Sequence, residues 1–174
     1  LAESDINLIS FTGSYGVGQK LYETAAKKFI PIINELGGSS PGIVFADMAD
    51  KLDEIVPSIF KGRFSNSGQF CSNIKRLLVH RSLFDACVEK LTAAAANAKV
   101  GDPLAEGTDM GPLVAGRQVE QIKEQLKDAL DKGAICHIGG KQPAGLDGAF
   151  FEPTILTNIT KDMRVWHEEV FGPI

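Results

Sequence analysis

The chain has 174 residues, 44% of them hydrophobic and 23% charged, with a formal net charge of −4. That length suits one domain with a proper core, or parts of two, and the balance is that of an ordinary globular protein. The acidic charge argues against a broad nucleic-acid footprint, and no apolar run approaches the roughly 20 residues that span a bilayer.

Ile6 to Phe11 alternates apolar and polar residues and reads as a strand. A glycine-bearing loop, Thr12 to Gly18, follows it, then a helix over Gln19–Lys28 and a second strand over Phe29–Asn34. Such a β–loop–α–β unit can set backbone N–H groups and a helix N-terminus against a phosphate. Its spacing is G-x-x-G-x-G, however, which is not the dinucleotide fingerprint G-x-G-x-x-G. A plain tight turn is the competing reading.

Glu35 to Gly42 is expected to be a loop. Glu35 is either a solvated strand end or a general base at the carboxyl edge of a sheet, where α/β active sites lie. Ile43–Phe45 is a short buried strand. A helix over about Asp50–Phe64 carries the stripe Leu52, Ile55, Val56, Ile59, Phe60 and Phe64. Pro57 inside it predicts a kink or a restart near Val56.

That helix leads into Asn66-Ser67-Gly68-Gln69-Phe70-Cys71-Ser72-Asn73. Buried packing cysteines normally lie among hydrophobes, whereas Cys71 sits in a polar, glycine-bearing run ahead of the strand Arg76–His80. Those surroundings suit a nucleophile. Ser82 is expected to cap the next helix, through about Asn97, with Asp85 completing a capping box. Cys87 lies on that helix's apolar stripe and reads as core.

Residues Val100 to Pro112 form a loop. Val119, Ile122, Leu126, Ala129 and Leu130 mark a further helix, ended by Gly133 at its C′ position. Ile135–Ile138 is a strand in which Cys136 packs, Gly139-Gly140 is a turn, and Phe150–Leu156 is extended. Strands alternating with helices predict an α/β protein with a largely parallel sheet.

Three cysteines without metal-ligand spacing, and three histidines in no zinc pattern, argue for a reducing compartment and against both a disulfide framework and a metal site. The N-terminal residues lack the basic and apolar regions of a signal peptide, so a cytoplasmic location is expected. Residue 1 is not Met, and Phe171-Gly172-Pro173-Ile174 reads as the lead-in to another strand, so a fragment is expected.

With these pieces placed, the sequence resembles the NAD(P)-dependent aldehyde dehydrogenase family along almost its whole length. Phe11-Thr12-Gly13-Ser14 resembles the family's cofactor-loop signature, and Glu35-Leu36-Gly37-Gly38 its glutamate signature. Gly68-Gln69-Phe70-Cys71, with Arg76 five residues later, resembles the cysteine signature, and Glu168-Glu169-Val170-Phe171-Gly172-Pro173 the E-x-F-G-P signature. The order and spacing are close to the family's. Tyr15 and Ser39 depart from it: the first stands where Thr or Ser is usual, the second where Lys or Asn is usual.

The resemblance implies a Rossmann-like, three-layer α/β/α fold. Residues 1–34 would be the tail of a dinucleotide-binding domain and 35–174 a catalytic domain. It implies oxidation of a small-molecule aldehyde to a carboxylate with NAD or NADP. Cys71 would be the nucleophile that forms a thiohemiacetal and then a thioester, and Glu35 would activate the hydrolytic water. Gly13 and Ser14 would meet the pyrophosphate, the Leu36 carbonyl the carboxamide, Glu169 the nicotinamide ribose, and Phe171 would pack beside the nicotinamide. The resemblance further implies a homodimer or homotetramer. An oxyanion-hole Asn and an adenosine-ribose Lys would lie upstream of residue 1, so the 174 residues alone are expected to turn over little. A cofactor-independent thiol esterase and a non-catalytic folded domain are the alternative classes.

Overall fold

In the computed structural model, which describes residues 4–174, the expected β–α–β start is present. Strands β1 (Ile9–Gly13) and β2 (Ile32–Leu36) run parallel, joined by helix α1 (Tyr15–Lys28). The glycine run is mostly helix and not loop. Gly18 explains why: a Cβ there would lie 2.7 Å from Leu36 Cδ2, so its absence lets α1 close onto β2. Tyr15 at the first helical position is 72% exposed and crowds nothing. The chain leaves α1 through Phe29, which takes the left-handed turn (φ 54°) usually given to glycine and donates to the Ala26 carbonyl.

The expected loop over Glu35–Gly42 shrinks, because Ser40–Val44 forms β3, parallel to β4 (Ile74–Val79). Pro41 is tolerated in β3 at a register shift between Ser40 and Pro41, the kind of irregular position that needs no N–H donor. A 3₁₀ segment (Ala46–Lys51) then feeds α2 (Leu52–Phe64), which continues through Pro57 without restarting. Pro57 lies on the exposed face, where the carbonyl freed one turn earlier can turn to water. Leu52, Val56 and Phe64 of the expected stripe are buried.

The Ser82–Asp85 capping box does not form. A 3₁₀ turn (Arg81–Leu83) precedes α3 (Phe84–Asn97), and the His80 imidazole takes the capping place, accepting from the Ser82 N–H at 3.3 Å. Cys87 packs with Val56 and Leu91 between α2 and α3. Helix α4 (Gly116–Asp131) buries Val119, Ile122, Leu126 and Ala129 of the expected stripe but leaves Leu130 exposed, and Gly133 follows it at φ 93°, as expected. Strand β5 (Ile135–Ile138) pairs antiparallel with β6 (Ile155–Thr157), so only the end of the extended 150–156 stretch joins a ladder. A short helix α5 (Arg164–His167), unforeseen in the sequence, precedes the last segment.

The α/β class stands, with two parallel two-stranded ladders and one antiparallel among the described residues. The chain divides into two units, one reaching Gly38 and the other spanning Ser39–Ile174. The second unit's core joins Leu113, Val119, Ile122, Leu126, Phe151 and Val170. Among the described residues no helix is long and apolar enough to cross a membrane.

Candidate functional site

In the first unit, the parallel register sets Thr12 opposite Glu35 and Gly13 opposite Leu36. The two motifs, 23 residues apart by that register, thus lie side by side at the carboxyl ends of β1 and β2, the edge where open α/β sheets bind ligands. Ser14 is the N-cap of α1, its side chain makes no capping hydrogen bond, and the first turn carries no acidic residue. The N–H groups of that turn therefore keep their preference for an anion. Glu35 is exposed on β2.

In the second unit, α2 delivers the chain into the cysteine loop. Asn66 (φ 51°), Ser67 (φ 55°) and Gly68 (φ 75°) are all left-handed, a conformation that costs a non-glycine residue roughly 1–2 kcal/mol. Such strain persists only when the surroundings over-determine it, and here they do. Ser67 Oγ donates to the Gly111 carbonyl at 2.8 Å, and the Val114 N–H donates to Gln69 Oε1 at 2.8 Å. Buried Asn73 donates to the carbonyls of Arg63 and Ser65, both at 3.2 Å. Gly68 must be glycine, since a Cβ would collide with the Gly172 carbonyl. At the end of this braced turn Cys71 is exposed, and its backbone N–H has no carbonyl partner among the described residues.

The Glu168–Pro173 segment is fixed against the same loop. Arg63, only 6% exposed, donates to the Val170 carbonyl at 3.0 Å, to Ile74 at 3.4 Å and to Gly172. Burial pulls its pKa down to about 10, an effect that the charge of Glu169 opposes. Gln118 Nε2 donates to the Phe171 carbonyl at 3.1 Å, and the Thr154 N–H donates to that of Pro173 at 2.8 Å. Gln125, fully buried, donates to Glu168 Oε2 at 2.9 Å and to the Glu169 carbonyl at 3.2 Å. Phe171 is half-buried. Glu169 Oε1 is buried without a hydrogen-bond partner and lies 3.8 Å from Lys75 Nζ.

Within each unit the sequence-selected residues are therefore gathered: Gly13, Ser14, Glu35 and Leu36 in the first, Cys71, Glu169 and Phe171 in the second. Sequence reasoning missed Arg63, Lys75 and Gln125. Arg63 and Gln125 carried a signal, because each falls on its helix's apolar stripe, four residues after Ile59 and three after Ile122. A polar residue at such a position must be satisfied from inside. Lys75 offered no comparable pattern.

Comparison with known proteins gives a consistent picture. The sequence model of the Aldehyde dehydrogenase family matches residues 1–174. The chain is 43% identical over 171 residues to a peroxisomal aminoaldehyde dehydrogenase 1 of Pisum sativum, covering 98% of this chain and 34% of that protein. It is 43% identical over 169 residues to a glutarate-semialdehyde dehydrogenase of Pseudomonas putida, covering 97% and 34%. Among solved structures, a Staphylococcus aureus betaine aldehyde dehydrogenase in complex with NAD+ superposes with a TM-score of 0.91 at 36% identity, covering 97% of this chain and 34% of that one. The chain spans about a third of the length of the relatives it matches.

Proposed function

The chain belongs to the aldehyde dehydrogenase family, and on that premise we propose that the whole protein oxidises an aldehyde to a carboxylate with NAD or NADP through a covalent intermediate on Cys71. The observation that carries this reading is the cysteine loop: an exposed thiol at the end of a left-handed turn that buried side chains hold in place. A packing cysteine such as Cys87 needs no such loop.

Each unit carries residues that suit part of a dinucleotide: in the first, the open N-terminus of α1 beside Gly13 and Ser14 suits a pyrophosphate; in the second, the partly exposed Glu169 carboxylate, with no donor on Oε1, suits a ribose hydroxyl. The Leu36 carbonyl, at the end of β2, would take the carboxamide, and Phe171 would pack beside the nicotinamide. When bound, NAD(P)+ supplies the hydride acceptor.

The Cys71 thiolate attacks the aldehyde carbon, forming the C–S bond of a thiohemiacetal while the carbonyl oxygen takes the charge. The Cys71 N–H, which has no carbonyl partner among the described residues, would help hold that oxyanion, a contribution of roughly 3 kcal/mol per donor. Loss of hydride leaves a thioester on Cys71. Glu35 then takes a proton from water, whose oxygen attacks the thioester carbon; the C–S bond breaks, and the carboxylate leaves with the thiolate restored.

Residues 1–34 would belong to the cofactor-binding domain and 35–174 to the catalytic one, in a homodimer or homotetramer. The relatives' names point to aldehydes with a polar far end. The odd number of cysteines, without metal-ligand spacing, suits a reducing compartment, for which the cytoplasm is our reading, although the pea relative is named peroxisomal. The decisive experiment replaces Cys71 with Ser in the whole protein and follows NADH or NADPH formation with aminoaldehydes, betaine aldehyde and glutarate semialdehyde. A loss of about 10³-fold or more is expected for a covalent nucleophile, with unchanged circular dichroism. Activity kept within tenfold of wild type would overturn the assignment.

A further inference from the structure

Lys75 stands where the cysteine loop meets the Glu168–Pro173 segment, and no step described so far uses it. Its side chain is only 2% exposed. Nζ donates to the Phe70 carbonyl at 2.6 Å, to Asn73 at 3.2 Å and to Cys71 at 3.3 Å. An ammonium has three hydrogens, so these carbonyls use all of them. The remaining neighbour, Glu169 Oε1, lies at 3.8 Å, which is a charge contact and longer than a hydrogen bond.

That division of labour has a consequence. Glu169 is held in place by charge, yet its Oε1 has no hydrogen-bond donor and its side chain stays 24% exposed, open to a ligand hydroxyl. The cation that holds it is the same group that fixes the backbone on both sides of Cys71. Burial and the nearby Arg63 charge lower the Lys75 pKa, while Glu169 and Cys71 favour its charged form. The cation is thus uncomfortable where it sits and depends on its acidic neighbours.

We propose that Lys75 is a positioning residue that joins the Cys71 loop to Glu169, so that cofactor held through Glu169 and the order of the nucleophile loop are energetically linked. This rests on the cofactor reading given above. Arg63 does not fill the same role, because its guanidinium serves the Ile74, Val170 and Gly172 carbonyls and none within the Phe70–Asn73 turn. Linkage of this kind is reciprocal: whatever Lys75 does for cofactor binding at Glu169, bound cofactor does for the loop.

The test is a double-mutant cycle in the whole protein, read as the equilibrium Kd for NAD+ without aldehyde. Lys75→Met keeps the length of the stem and removes the charge; Glu169→Gln removes the carboxylate. Each single change is expected to raise Kd by about tenfold, and the double variant by no more than Glu169→Gln alone, since the pair acts as one unit. In parallel, bound NAD+ is expected to change the rate at which iodoacetamide alkylates Cys71 in the wild type and to leave it unchanged in Lys75→Met at saturating NAD+. Should Lys75→Met fail to fold, Lys75→Gln, which still offers two hydrogens to the loop carbonyls, replaces it in both measurements. Additive effects on Kd, or an alkylation response that persists in the lysine variant, overturn the proposal while leaving the cofactor reading intact. A wild type that does not bind NAD+ overturns both.

Discussion

Arg63 permits a worked prediction. Its guanidinium donates to the Val170 and Gly172 carbonyls, and charge-assisted bonds of this kind contribute about 1.5–3 kcal/mol each, or about 3–6 together. Against that, burial that lowers the pKa to about 10 costs the charged form about 3 kcal/mol. Arg63→Met relieves that cost but leaves the interior Val170 carbonyl without a donor, at about 1–3 kcal/mol, while the Gly172 carbonyl keeps the Ile174 N–H. A net loss of about 3 kcal/mol is expected, at the lower edge of what removing one partner from a buried charged network costs. For a chain of this size that lowers Tm by roughly 6–12 °C. Chemical denaturation followed by far-UV circular dichroism measures it, with exposed Arg81→Met as the control. If the two variants unfold at the same denaturant concentration, the clamp does not stabilise the fold.

Two further predictions concern the rest of the second unit. Pro57→Ala should stabilise the protein by about 1–2 kcal/mol: the helix regains a hydrogen bond on an exposed face, partly offset by the freer unfolded chain; a lower denaturation midpoint would contradict this. The Arg164 Nε–H, and then Gln125, hold the Glu168 carboxyl below its ordinary 4.5. A depressed folded value gives stability that is present above the unfolded value and lost as pH falls through the folded one, so stability should decline as pH falls below about 4.5. Glu168→Gln should flatten that decline, and an unchanged acid limb would refute the role given to Arg164.

The fold was legible where a local pattern coincided with a tertiary need. The stripe of α4 and its stop at Gly133 could be read directly, because helix period and C′ glycine express the same burial. Boundaries slipped where a distant contact decided them. Gly16 and Gly18 suggest a loop until Leu36 is seen against Gly18, and Pro41 and Gly42 suggest another until β4 pairs with them. The Ser82–Asp85 box gave way to His80, whose imidazole reaches back into the turn. Pro57 also misled, since a missing N–H matters only where its freed carbonyl cannot find water.

The candidate site shows the same asymmetry. Cys71 could be singled out because its neighbours were wrong for packing, which is a local property. What holds Cys71 in place was harder to read, since Arg63 and Lys75 act on backbone carbonyls, in Arg63's case up to 109 residues away. Carbonyl groups are identical at every position and leave no trace in a sequence. A buried cation that serves only carbonyls therefore looks like any surface lysine or arginine unless it interrupts an apolar stripe, as Arg63 does. Lys75 interrupts none. It is the residue whose part in the chemistry depends most on the three-dimensional arrangement, and the NAD+ binding cycle with Glu169 probes that dependence directly.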